Sequence, residues 1–230
     1  ETAKSKIFPN EAFGFWKVTV DRPLRLAVDL SPARLERFKR TCTRAKEESL
    51  VELAYRVADV LGAGPQMDFN AFMAACESDA NNYAVKLTTQ RKKLLQNELC
   101  DINQDAAPVL KKVHKPGKAT FDPIHGLFEV QINGKLCVVE YESDTTLRDS
   151  EQVPLLEEGG IDAFFRREVL PYNSDAWIDP GKTLVGYEIS FTRHFYRPEP
   201  MRTLDEIKAD IFALEQETEG LLEQIIGEAK

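Results

Sequence analysis

The sequence predicts an α+β fold with a mainly helical middle, a small antiparallel sheet or hairpin, and a long C-terminal helix with a heptad pattern. Apolar residues alternate near the start, recur at helical spacing through the middle, and recur at steps of three and four at the end. The expected regions are a strand segment (1–30), a helical region (31–126), a hairpin with mixed α/β structure (127–200) and a docking helix (201–230).

The composition excludes several classes of protein. The chain has 230 residues, of which 43% are apolar and 30% are charged, as in ordinary globular proteins. No apolar run approaches the roughly 20 residues of a membrane span, so we expect no membrane partner. The 4 cysteines form no CxxC pair, which predicts neither a zinc site nor a disulfide framework and fits a reducing cytoplasm. The sequence starts without methionine or an apolar leader, so we expect that it begins at a cut.

The first part of the chain changes from strand to helix. Apolar residues alternate over residues 16–20 and again over 24–30, which predicts two strands separated by a proline break. Ser31 followed by Pro32 predicts a helix start. One long helix or a broken pair should then extend to Gly62.

Three further helices are predicted in the middle. Asp68 can cap the first, residues 83–100 carry the second at helical spacing, and residues 109–113 form a short third.

The apolar period then changes to that of strands. Residues 127–132 and 136–141 flank Asn133-Gly134, the dipeptide that best accepts a type I′ turn, and predict a β-hairpin. A charged connector over 147–154 and a helix over 161–170 should follow.

The C-terminal helix carries the strongest pattern. Thr203 and Glu206 have the spacing of a capping box. Apolar side chains then form a heptad seam, and acidic residues crowd the rest of the helix. The predicted subunit-interaction residues are Leu204, Ile207, Ile211, Leu214, Leu221 and Ile225. Burial of each large aliphatic side chain gains about 1.5–3 kcal/mol, so the seam needs a partner, which is either this chain's own core or another subunit.

Basic residues gather over 34–46, 86–93 and 111–118. The candidate phosphate contacts are Arg34, Arg37, Arg40, Lys92, Lys93, Arg193 and Arg197. If these residues converge, the alternative function is an autonomous DNA-binding module whose affinity depends strongly on salt. If they do not, they are solvated helix faces. The net charge of −8 argues against a free-standing nucleic-acid-binding module.

No assembled active site is predicted. The sequence lacks a Gly-rich phosphate loop, a dinucleotide fingerprint and the common hydrolase motifs, and its 3 histidines are dispersed. We therefore assign no catalytic, cofactor-binding or metal-binding residue. Two interpretations as an enzyme stay open: His194 as an acid–base group among aromatic rings and arginines, or Glu140, Glu142 and Asp144 as ligands of a hard metal ion.

Four segments resemble the C-terminal portion of a known family. They are FGFWKVTVDRPLRL at residues 13–26, LRDSEQVPL at 147–155, FFRREVLPYNSDAWID at 164–179 and KTLVGYEISFTRHFYRPEPMRTLDEI at 182–207. These segments are similar to the modification subunit of type I restriction–modification systems, an adenine-N6-specific DNA methyltransferase. The helical middle, residues 31–126, is less diagnostic.

The resemblance implies a division of labour. The family uses a glycine motif that binds S-adenosylmethionine and an Asn/Asp-Pro-Pro-aromatic motif that positions the flipped adenine. The sequence contains neither motif, so the chain is expected to follow the catalytic domain, to be inactive alone and to hold no cofactor. S-adenosylmethionine is expected in the full-length protein. The resemblance also implies helical docking to the specificity subunit, in a complex that includes the restriction subunit and duplex DNA.

Overall fold

The structure is a computed structural model, which describes residues 5–62, 64–132, 134–196 and 201–227. The strands are β1 (Gly14–Asp21), β2 (Leu26–Val28), β3 (Cys100–Ile102), β4 (Leu110–Val113), β5 (Phe128–Ile132), β6 (Lys135–Tyr141), β7 (Asp149–Pro154) and β8 (Trp177–Tyr187). The helices are α1 (Pro32–Ala45), α2 (Glu48–Leu61), α3 (Phe69–Asn82), α4 (Thr89–Leu99), α5 (Gly160–Glu168), α6 (Phe191–Phe195) and α7 (Leu204–Gly227). The chain divides into two units, Phe8–Glu188 and a smaller one formed by Glu1–Ile7 with Ile189–Lys230.

The strand β1 is the centre of the first sheet. It pairs antiparallel with β7 on one side and with β8 on the other, in the order β7-β1-β8. Val18, Val153 and Ile178, one from each strand, are buried with Phe165 of α5. This core therefore unites segments that are far apart in the sequence.

The helices α1 to α4 form a second core. The hydroxyl of Ser31 accepts a hydrogen bond from the amide of Arg34, which confirms the predicted helix start. Lys46 has a left-handed φ of 59° and separates α1 from α2, so the broken pair is the correct alternative. Asp68 caps α3 as predicted. The fully buried side chains of this core include Phe38, Leu50, Leu53, Phe72, Leu95 and Leu99.

The predicted hairpin is confirmed as β5 and β6. The two strands pair from Phe128 opposite Val139 to Ile132 opposite Lys135. Gly134 has a φ of +76°, the left-handed conformation that the turn requires, and Asn133 lies outside the described residues. The strand β4 pairs with the other side of β6, so this sheet has the order β4-β6-β5, while β2 and β3 form a separate pair.

Three local predictions are wrong. The helix predicted at 109–113 is the strand β4, and the connector predicted at 147–154 contains the strand β7. Both segments are strands because β6 and β1 supply their hydrogen-bond partners, and such distant pairing outweighs local propensity. The helix expected from residue 83 begins instead at Thr89, because Thr88 caps it by accepting a bond from the amide of Arg91.

The predicted architecture is also wrong. The chain is α+β, but its described strands form three separate antiparallel sheets instead of one small sheet. A long heptad-patterned helix is not evident, because every side chain described along residues 204–218 of α7 is exposed. Buried and exposed positions do not alternate there, so the seam is not a packed stripe in this structure.

Three of the four cysteines are buried, as expected for inert thiols. Burial raises the pKa of Cys42 to about 11 and the pKa values of Cys76 and Cys100 to about 12. At neutral pH these thiols therefore stay protonated and unreactive.

Candidate functional site

The predicted interaction residues lie on α7, and its first turn has the predicted capping box. The amide of Thr203 donates to Glu206 Oε2 (2.7 Å), and the amide of Glu206 donates to Thr203 Oγ1 (3.3 Å). The described members of the predicted set are 43–72% exposed; they are Leu204, Ile207, Ile211 and Leu214. Phe212, which the heptad pattern did not include, is equally exposed. The side chains of Leu221 and Ile225 lie outside the described residues.

Arg34, the first predicted phosphate contact, is engaged within the protein. Its Nε donates to the carbonyl of Glu98 (2.6 Å), and its Nη2 donates to the carbonyl of Cys100 (3.3 Å) and to Asp101 Oδ1 (2.9 Å). These bonds join α1 to the end of α4 and to β3. The side chain therefore stabilises the helical core and has little capacity left for a phosphate.

Of the other basic candidates, two contact acidic side chains and two are exposed to solvent. Arg37 lies 3.8 Å from Glu98, and Lys92 binds Glu77 at 2.5 Å. Arg40 and Lys93 are exposed. Arg197 and the side chain of Arg193 lie outside the described residues. Among the described members of the set, acidic partners therefore lie beside Arg34, Arg37 and Lys92.

A network of ion pairs joins the segments that resemble the methyltransferase subunit. Asp21, at the end of β1, is only 3% exposed, and its Oδ1 accepts from Arg148 Nε (2.6 Å). Asp175 accepts from Arg22 Nε (3.2 Å) and from Arg25 Nη2 (3.1 Å). Sequence reasoning missed this network, since nothing in the local pattern pairs an aspartate with an arginine that lies 127 residues away.

A cleft of about 250 Å³ opens where β8 departs from β1. The register of the two strands shifts between Lys17 and Thr19, and the extra residues of β8 form one rim of the cleft. Trp177 forms a wall at Gly126, where a Cβ atom would lie 2.9 Å from Trp177 Cδ1. Bulges of this kind are frequent beside functional sites.

The acids around this cleft are already paired. Burial alone would raise the pKa of Glu140, but the hydrogen bond from His114 (2.7 Å) and the charge of Lys112 lower it. A hydrogen bond from Lys182 lowers the pKa of Asp179. Each acid described in the lining of this cleft is therefore paired, and none of them is poised as a general base.

The two enzyme interpretations gain no support from the arrangement. Glu140 lies at this cleft, Glu142 lines a different pocket, and Asp144 is buried with Oδ1 bonded to Thr146. Among the described residues, no group of three or more His, Cys, Asp or Glu side chains could hold a metal ion. His194 is partly buried in the smaller unit.

Comparison with protein-family models, curated proteins and solved structures finds no match for this chain. The resemblance to the methyltransferase subunit therefore depends on the four segments of sequence alone. No described helix has both the length and the apolar character needed to cross a membrane.

Proposed function

We propose that this chain is the non-catalytic C-terminal portion of a type I DNA adenine-N6 methyltransferase subunit. Its role is to attach the cytoplasmic catalytic domain to the specificity subunit. The restriction subunit and duplex DNA belong to the full complex, and S-adenosylmethionine belongs to the catalytic domain.

The observation that supports this proposal most is the convergence of the resembling segments. The first segment (13–26) contains β1, and the second (147–155) contains β7. The third (164–179) contains the end of α5 and the start of β8. These elements belong to one sheet and the core beside it. Ion pairs between side chains connect these segments. Asp21 pairs with Arg148, and Asp175 pairs with Arg22 and Arg25. Because the segments depend on one another structurally, we treat them as one unit in this proposal.

The chemistry of α7 supports a protein partner. Its described apolar side chains are exposed, and large exposed apolar patches mark interaction sites. The acids described on this helix are Asp205, Glu206, Asp210, Glu215 and Glu217, against a single base, Lys208. A helix of the specificity subunit with an apolar face and basic flanks would complement this surface.

The experiment mixes the chain with the specificity subunit and measures association by calorimetry. We expect Ile211→Asp or Leu214→Asp to weaken binding at least tenfold, because each change places a charge in the apolar contact. Leu184→Asp is the matched control, since Leu184 is equally exposed but lies on β8. Absence of association, or an equal loss with the control, would refute the proposal.

A further inference from the structure

A groove of about 800 Å³ lies between α3 and the sheet β4-β6-β5. Its apolar lining comes from Ala71 and Ala74 on α3, Leu110 and Val113 on β4, and Val130 and Ile132 on β5. The two alanines are three residues apart and share one helix face, where their small side chains leave room above them. Val113 is 48% exposed, so the apolar surface of the sheet is accessible.

The two edge strands of this sheet, β4 and β5, differ in how well they are protected against pairing with a further strand. At the β4 edge, the Asn70 side chain donates to the carbonyl of Pro108 (2.8 Å) and accepts from the amide of Leu110 (2.8 Å). Lys111 and Lys112 follow, and lysines on an edge strand oppose pairing with another chain. The β4 edge is therefore closed to a further strand.

The β5 edge is less protected, since it carries one charged side chain, Glu129, and no described side chain bonds to its main chain. Among the described residues, the main-chain hydrogen bonds of Phe128–Ile132 go to β6 alone. Every second residue of an edge strand directs its N–H and C=O groups away from the sheet. Val130, Gln131 and Ile132 all border the groove, so these open main-chain groups lie beside an apolar channel.

The charge of the groove restricts its occupant. Asp68 and Glu77 are the charged side chains in its described lining, and both are acidic. Glu77 already binds Lys92. Asp68 uses Oδ1 to cap α3 and keeps Oδ2 available, so a cation in the groove would meet this carboxylate.

We propose that the groove binds an extended segment of a partner protein, which adds a strand to β5. Main-chain bonds to β5 supply affinity, and alternate apolar side chains over Val130 and Ile132 supply selectivity. A lysine or arginine at one of these alternate positions points to the same face and pairs with Asp68. A second copy of β5 fits less well, because this strand carries Glu129 and no cation.

The test uses the full chain and a pool of capped octapeptides in which every second residue is Val, Ile or Leu, with Lys at one of these positions, and the residues between them are Thr. Binding is measured by fluorescence anisotropy and by hydrogen exchange of the β5 amides. We expect the pool to bind and to slow exchange at β5 at least tenfold. A pool with N-methylated backbone amides should not bind, because it cannot form the strand pairing.

Four variants locate the site. Ala74→Trp fills the groove and should weaken binding at least tenfold, whereas Asn81→Trp, also exposed on α3 but outside the groove, should not. Asp68→Asn keeps the helix cap and should weaken binding of the unmethylated pool up to about fivefold, as expected for an exposed ion pair. Leu214→Asp, which tests the function proposed above, should leave peptide binding unchanged.

Each contrary result overturns the proposal. If neither pool binds, or if the N-methylated pool binds as well, β5 does not accept a strand. If Ala74→Trp has no effect, the groove is not the site. If the β5 amides are protected without peptide and in proportion to protein concentration, a second copy of the chain is the occupant.

Discussion

Asp21 is a carboxylate whose described side-chain hydrogen bonds all come from Arg148. Its carboxylate is almost fully buried at the end of β1, and Arg148 approaches both oxygens, at 2.6 Å and 3.4 Å. Taking a carboxylate out of water is costly unless hydrogen bonds from a cation compensate for the loss. Arg148 is itself one-third exposed, so water can compensate in part if the arginine is removed.

We predict that Arg148→Met lowers the free energy of unfolding by about 1–3 kcal/mol, the cost of leaving a buried polar group unpaired. Urea denaturation followed by tryptophan fluorescence measures this loss. Arg166→Met removes an exposed arginine of α5 and should change stability by less than about 0.5 kcal/mol. Equal effects of the two changes would show that Asp21 does not depend on Arg148.

At the scale of single elements, the helix caps follow from local chemistry. Ser31, Asp68 and Thr203 each accept a bond from an amide two or three residues ahead, and each was predicted from its position before a helical pattern. A cap needs only neighbouring residues, so sequence is sufficient to find it. The strands β4 and β7 were missed because their partners lie far along the chain.

The same distinction applies to the candidate sites. The helical period of the apolar residues of α7 is visible in the sequence, but their exposure is not, because it depends on what packs against the helix. The groove beside β5 could not be predicted, because it forms only when α3 and the hairpin come together. The contacts of Arg34 are not visible in the sequence for a related reason: its carbonyl and carboxylate partners lie 64 to 67 residues away.

The cap of α7 provides a prediction at this scale. Thr203→Ala should destabilise the first turn by about 0.5–2 kcal/mol, because the amide of Glu206 loses its acceptor. Hydrogen exchange at residues 205–208 should then accelerate by roughly twofold to thirtyfold. Thr218→Ala is the control, since the Thr218 hydroxyl bonds to carbonyls within the helix and caps nothing. Unchanged exchange in Thr203→Ala would contradict the role of the cap.

At the scale of the larger unit, Phe8–Glu188, stability depends on two apolar cores. One is helical and contains Phe38 and Phe72, and the other lies between the first sheet and α5 and contains Val18 and Phe165. Asp175 lies just before β8, beside the second core, and holds Arg22 and Arg25 on the segment between β1 and β2. Arg25 also donates to the carbonyl of Ala106 (2.7 Å), close to the helical core. These bonds join the two cores.

We predict that Asp175→Ala uncouples the unfolding of the two cores. Both tryptophans of the chain, Trp16 and Trp177, belong to β1 and β8, so fluorescence reports on the sheet, whereas circular dichroism at the helical band reports mainly on the helices. In the parent chain the two urea transitions should coincide, as in a cooperative domain. In Asp175→Ala the fluorescence midpoint should fall by about 0.5–1 M relative to the helical one, because Arg22 and Arg25 lose their shared acceptor. Asp59→Ala, which removes an exposed carboxylate of α2, should keep the midpoints together. Coincident transitions in Asp175→Ala would mean that apolar contacts, and not these ion pairs, couple the cores.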